Sequence, residues 1–222
     1  MKIYLATADP AQVSWAAELG LTDGVITTPR LLYEAGAVTD PRGLIQEICL
    51  AVSGPVVVAV ESIHPDEMYR DGKELARLSD QIVVEVPLIE DGLPAIRRLS
   101  AEGIRVSAGL VFSATQAVLA SRAGASVVNC AIRQMDAGGT DAMIVLSEMR
   151  AALDQAGEEC DVLASVVASS SDFTRSVLAG ADGIAIEPEA MRALLIHPLT
   201  DRGMDRMLTE LSRLPKGRLT NA

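Results

Sequence analysis

No run of about 18 or more uninterrupted apolar residues occurs in this 222-residue chain. Met1-Lys2 leads straight into a strand-like segment rather than a cationic and then apolar leader. These absences argue against a membrane span and a targeting segment, and the expectation is a cytoplasmic protein. Cysteine is equally sparse: Cys49, Cys130 and Cys160 show neither CxxC nor histidine-coupled spacing. That excludes a disulfide framework and a cysteine zinc site, and leaves buried reduced thiols. Positive charge is short, with 19 Lys and Arg against 30 Asp and Glu, a net −11. Nucleic acid and anionic membranes would be repelled by such a chain, so neither is expected as a partner. Glycine-rich phosphate loops of the GxGxxG or GxxxxGK[ST] type follow no strand-like segment, which removes Rossmann and P-loop cofactor sites. No cofactor is implied.

What is present is a repeated strand–helix grammar. Lys2 to Ala6 reads as a strand, Asp9-Pro10 as a helix cap with proline at the first position, and Gln12 to Leu19 as a helix stopped by Gly20. Seven more units follow. The strands are Gly24 to Thr28, Pro55 to Glu61, Gln81 to Val86, Ile104 to Leu110, Ser126 to Ala131, Asp161 to Val167 and Gly183 to Glu187. The helices between and after them span Asp40-Pro41 to Val52 (with Leu31 to Glu34 before it), Pro65 to Leu78, Glu90 to Glu102, Ser113 to Arg122, Asp141 to Ala156, Ser170 to Ala179 and Pro188 to His197. Runs such as Val56-Val57-Val58-Ala59-Val60 suit parallel strands buried on both faces. Eight alternations in this length select a single (β/α)8 TIM barrel over residues 1–199 rather than an open sheet. Residues 200–222 add a C-terminal helix, amphipathic through Met204, Met207, Leu208 and Leu211, which needs a surface to pack on.

Barrel chemistry sits at the C-terminal ends of the strands. Alternation from Tyr4 and Ala6 predicts an inward set of Ile26 and Thr28, Ala59 and Glu61, Val83 and Glu85, Ser107 and Gly109, Asn129 and Ala131, Ala164 and Val166, and Ala185 and Glu187. Most are small, which predicts a roomy upper barrel that takes a small-molecule ligand. Glu85, within Ile82-Val83-Val84-Glu85-Val86-Pro87, needs either a raised pKa or a cation. Arg30 and Arg133, in the loops after strands two and six, are the candidate cations and candidate anion-binding groups.

Ile3-Tyr4-Leu5-Ala6-Thr7-Ala8-Asp9, Gly24-Val25-Ile26-Thr27-Thr28-Pro29, Ile82-Val83-Val84-Glu85-Val86-Pro87 and Met135-Asp136-Ala137-Gly138-Gly139 resemble signature stretches of the small transaldolase and fructose-6-phosphate aldolase family. The resemblance runs nearly end to end. It implies a barrel assembled as pentamers or decamers, with the C-terminal helix reaching a neighbouring subunit. It also implies carbohydrate chemistry through a strand-four lysine, in a pattern like IVVKVP, that forms a Schiff base with a ketose. Here that position is Glu85. The strand-one aspartate of the family becomes Ala6, the strand-three polar residue Ala59, the strand-five threonine Gly109 and the strand-six tyrosine Ala131. The phosphate-holding arginine and serine fall at Gln134 and Val166. The chain has only Lys2, Lys73 and Lys216, none of them placed by the sequence near the upper barrel. A Schiff base requires an amine there, which a carboxylate cannot supply.

Four readings follow. Glu85 is the acid or base of a diverged enzyme, assisted by Asn129, Gln134 and Arg133. The chain is a non-catalytic ring-forming homologue with a binding or regulatory role. Glu61, Glu85 and Glu187 hold a divalent metal ion. Residual aldolase or transaldolase activity survives by another route.

Overall fold

The computed structural model describes residues 1–36 and 40–213. Eight parallel strands close into one barrel in chain order, with the eighth pairing to the first. The strands are β1 (Lys2–Ala6), β2 (Gly24–Thr27), β3 (Val56–Ala59), β4 (Ile82–Pro87), β5 (Val106–Gly109), β6 (Val127–Ala131), β7 (Asp161–Val167) and β8 (Gly183–Ile186). The helices are α1 (Pro10–Glu18), α2 (Pro29–Glu34), α3 (Pro41–Ala51), α4 (Pro65–Ala76), α5 (Gly92–Ala101), α6 (Ala114–Ala123), α7 (Ile132–Ala137), α8 (Ala142–Ala156), α9 (Ser170–Leu178), α10 (Pro188–Leu194) and α11 (Pro198–Arg213). This is the (β/α)8 TIM barrel with a C-terminal helix that the alternation implies.

Local chemistry sets the helix starts. Asp9, Asp40 and Asp141 accept from the backbone N–H of Ala11, Gly43 and Met143, and Ser113 and Ser169 do the same for Gln116 and Asp172. Each such cap satisfies a donor that the first helical turn leaves unpaired, worth about 1 kcal/mol. Proline then occupies the first helical position of α1, α3 and α4, where its missing N–H costs nothing.

Two apolar layers result. Between strands and helices lies a continuous shell that includes Leu5, Val58, Val84, Val128 and Ile184 from the strands and Ile48, Met68, Leu99, Leu146 and Met149 from the helices. Burying each large side chain of this kind contributes about 1.5–3 kcal/mol. Inside the barrel a separate plug of Tyr4, Ile26, Val57, Val83, Val127, Leu163 and Ala185 fills the lower half, with Ala6 at its edge. Cys49, Cys130 and Cys160 are buried and unpaired, and burial pushes the Cys130 and Cys160 thiols up to about 12, which keeps them protonated and inert.

The structure departs from the sequence expectations in four places. Strand seven is out of phase: Leu163 belongs to the inner plug and Ala164 to the outer shell, opposite to the predicted inward Ala164. A bulge between Ala164 and Val167 then sets two residues, Ser165 and Val166, against the single inward position Ala185 of β8, and leaves Val166 part-exposed near the C-terminal end of the strand. The sequence reading has no helix between strand six and Asp141, whereas Ile132–Ala137 forms α7, followed by a turn at Gly138-Gly139. Strand three stops at Ala59, leaving Glu61 in an exposed bend. Helix α11 starts at Pro198 and buries none of its residues, with Met204, Met207, Leu208 and Leu211 each about half-exposed.

Candidate functional site

Above the plug, the inward positions are no longer sealed. Ala6, Ala59, Glu85, Asn129 and Ala131 are all half-buried, one step beyond fully buried neighbours on the same strands. They outline a well with small walls at the C-terminal face. Glu85 stands on β4 between Ala59 of β3 and Ser107 of β5 in the strand register. Its Oε2 accepts hydrogen bonds from Ser107 Oγ at 3.1 Å and Asn129 Nδ2 at 2.7 Å. Among the described residues Oε1 has no donor, and it is not sealed from solvent.

Gly109 makes room for this carboxyl. A Cβ at Gly109 would lie 3.1 Å from both Cδ and Oε1 of Glu85, closer than ordinary contact. Burial raises the Glu85 pKa above its usual 4.5, and the donors Asn129 and Ser107 pull against that rise. Among the described residues no ionisable side chain meets it: Ala59, Ser107, Gly109 and Asn129 are what the neighbouring strands present. Asn129 Oδ1, on the other end of the amide, is buried without a donor. Turning the amide over would pair Oδ1 with a protonated Glu85 but leave Nδ2 unmet instead.

The proposed cations do not reach Glu85. Arg30 lies exposed on α2 and pairs with Glu34 at 2.7 Å, one helical turn on. Arg133, exposed on α7, lines a surface cleft with Asp136, Ser169 and Asp172. Glu85 is therefore held by two neutral donors, and of the two expectations for it, a raised pKa or a cation, it is the raised pKa that the structure carries. Gln134 is exposed on the same short helix. Thr28 caps α2 by accepting from Leu31 N, which occupies its hydroxyl.

Nor do the three carboxylates converge. Glu187 is exposed at the start of α10, and Glu61 lines a separate cleft of about 180 Å³ with Arg42, Asp71 and Glu74. Among the described residues, no three His, Cys, Asp or Glu side chains gather as metal ligands. The metal-binding arrangement of Glu61, Glu85 and Glu187 is thus not formed.

Backbone strain at the rim escaped the sequence reading. Leu110, directly after β5, and Val166, in the β7 bulge, have φ of 58° and 62°, a left-handed region that bulky L residues rarely adopt. Their side chains remain 52% and 39% exposed. Such strain costs about 1–3 kcal/mol per residue and concentrates at functional sites. Nothing in the composition of these segments announced it.

Comparison with known proteins identifies the lineage of this site. The transaldolase/fructose-6-phosphate aldolase family model matches residues 8–216. The chain belongs to that family. Family members of similar sequence include a probable transaldolase of Chlorobium phaeobacteroides (strain BS1), 37% identical over 98% of this chain and all of that protein. One from Prosthecochloris aestuarii (strain DSM 271 / SK 413) is 38% identical over 97% of this chain and all of its own length. A third, from Hyphomonas neptunium (strain ATCC 15444), is 37% identical over 96% of this chain and 98% of its own. Within this family member, the lysines that the structure describes are engaged away from the well. Lys2, at the start of β1, bonds Asp161 at 3.2 Å. Lys73, on α4, pairs with Glu102 at 2.8 Å. Lys216 lies outside the described residues. Among the described helices none is long and apolar enough to cross a membrane.

Proposed function

We propose that this transaldolase-family chain works on a small molecule without forming a Schiff base at strand four, using Glu85 as proton donor and acceptor. The observation that carries the reading is the asymmetric setting of the Glu85 carboxyl. Oε2 is fixed by Ser107 and Asn129, so the proton that burial favours resides on Oε1, the oxygen left open toward the well. A carboxylic acid held this way donates to a ligand oxygen as negative charge develops there. The same group, once ionised, takes a proton back at the same atom. Ser107 and Asn129 orient the group rather than react.

Two measurements test this. Borohydride reduction in the presence of dihydroxyacetone, followed by intact-mass spectrometry, is expected to leave the protein mass unchanged. A trapped adduct overturns the proposal. On the first substrate for which turnover is found, Glu85→Gln is expected to lower kcat at least a hundredfold, the scale on which general acid–base catalysis operates. Equal rates would remove Glu85 from the chemistry.

A second reading is favoured by one observation, that among the described residues no other ionisable group faces Glu85 to share the proton traffic. On it the chain is a non-catalytic binding or regulatory homologue. Any turnover abolished by Glu85→Gln excludes that reading.

The chain is further proposed to act as a homo-oligomer, pentameric or decameric. In support, α11 is amphipathic yet leaves Met204, Met207, Leu208 and Leu211 uncovered within one chain. Light scattering on the full chain and on a version ending at Ile196 tests it. An unchanged mass would sink the idea.

A further inference from the structure

We propose that the well above Glu85 binds a small primary ammonium compound, its charged end on Glu85 Oε1 and its uncharged carbon portion against the Leu110 and Val166 rim. The inference rests on the reading of Glu85 as the reacting group and adds the class of ligand. Hydrogen-bond capacity is the first argument. Once Glu85 has ionised, its Oε1 is an acceptor without a donor among the described residues, while Ser107 and the Asn129 amide N–H are already committed to Oε2. A ligand that completes this set brings donors, and an ammonium brings three together with the opposite charge.

Charge is the second argument. Among the described residues the site contains a carboxyl and no cation, because Arg30 is spent on Glu34 and Arg133 lines an outer cleft with Asp136 and Asp172. An anionic ligand would meet only repulsion, in a chain that already carries −11. A divalent metal would need ligands that the described residues do not gather at this place. The walls give the third argument. Ala6, Ala59, Gly109 and Ala131 offer volume and no polar side-chain atoms, while the rim holds Leu110 and Val166 in costly backbone conformations with apolar side chains exposed. Strain maintained to display two aliphatic groups suits a ligand whose remaining surface is hydrocarbon.

Ligand-observed NMR and thermal melting of the full chain at pH 8 provide the test, with n-butylammonium chloride as probe and butanol and sodium butyrate as neutral and anionic counterparts, at matched ionic strength. Butylammonium is expected to bind the wild type about tenfold or more tightly than either counterpart, and more tightly than methylammonium. Glu85→Gln keeps an oxygen for both Ser107 and Asn129 and is expected to lose that preference by a similar factor. Gly109→Ala, which crowds Oε1, gives an independent variant expected to weaken the same binding. Equal binding of butylammonium and butanol, or undiminished binding by Glu85→Gln, overturns the proposal. Absence of butylammonium binding overturns it too, yet leaves Glu85 as acid or base standing if Glu85→Gln still abolishes turnover.

Discussion

Replacing Glu85 by glutamine should change how stability depends on pH, and the direction follows from the geometry. Burial raises the Glu85 pKa above 4.5, and among the described residues no cation stands by to reverse it. The folded protein therefore holds this proton more tightly than the unfolded chain. Its stabilising contribution is fully present below the ordinary value of 4.5 and is lost as pH rises through the folded-state midpoint. Glutamine has no proton to lose and preserves an acceptor for Ser107 Oγ and Asn129 Nδ2, so the variant omits this loss. Each pH unit that separates the two midpoints is worth about 1.4 kcal/mol. In a chain of this length that is on the order of 3–6 °C in Tm. Thermal melts of both proteins from pH 4 to 8 should start with a small difference and diverge in favour of Glu85→Gln as pH rises. The divergence should level off once the folded-state carboxyl has ionised. Curves that stay parallel throughout would refute the claim that the folded environment disfavours the Glu85 charge, and divergence in the wild type's favour would require a cation where we place none.

Gly109→Ala puts a Cβ 3.1 Å from the Glu85 carboxyl, and should destabilise by about 1–2 kcal/mol through overpacking. Urea melts should show that cost largely disappearing in a Glu85→Ala background, a coupling that separates this contact from a general effect on β5. Thr27 Oγ1 is buried without a partner, so Thr27→Val should raise stability by about 1 kcal/mol, and a fall in the urea midpoint would show that the hydroxyl is paired after all. Val166→Gly should relieve strain of about 1–3 kcal/mol at φ 62°, less the backbone freedom that glycine surrenders, and emerge about 1 kcal/mol more stable. A clear loss of stability would mean that the side chain packs more than its exposure indicates. Arg150 joins α8 to the base of the barrel through Asp182 at 2.7 Å and the Cys160 carbonyl at 2.9 Å. Arg150→Ala should cost about 2 kcal/mol in the same assay.

The barrel was legible because its punctuation is repetitive. Capping aspartates and serines, prolines at helix starts and β-branched runs recur in step, and each reports a local backbone preference that tertiary packing did not override. Glu85, Ala59, Gly109, Asn129 and Ala131 followed from alternation, since their strands are regular. Strand seven failed because a bulge inserts a residue, and Ala164-Ser165-Val166 carries no glycine or proline to mark it. The arginines failed for another reason. Sequence places a residue on a rim but does not say which nearer carboxylate will take it, although the Arg30 and Glu34 spacing offered that hint. Glu61 and Glu187 were lost to strand ends two residues and one residue earlier than supposed, where alternation ceases to apply.

The plug of Tyr4, Ile26, Val57, Val83, Val127, Leu163 and Ala185 closes the lower barrel to all traffic. Whatever enters the well must leave by the same opening, so a departing molecule and its successor compete for one doorway. A bulky compound seated there would trap a resident and bar a newcomer in the same act, slowing exchange in both directions without touching Glu85.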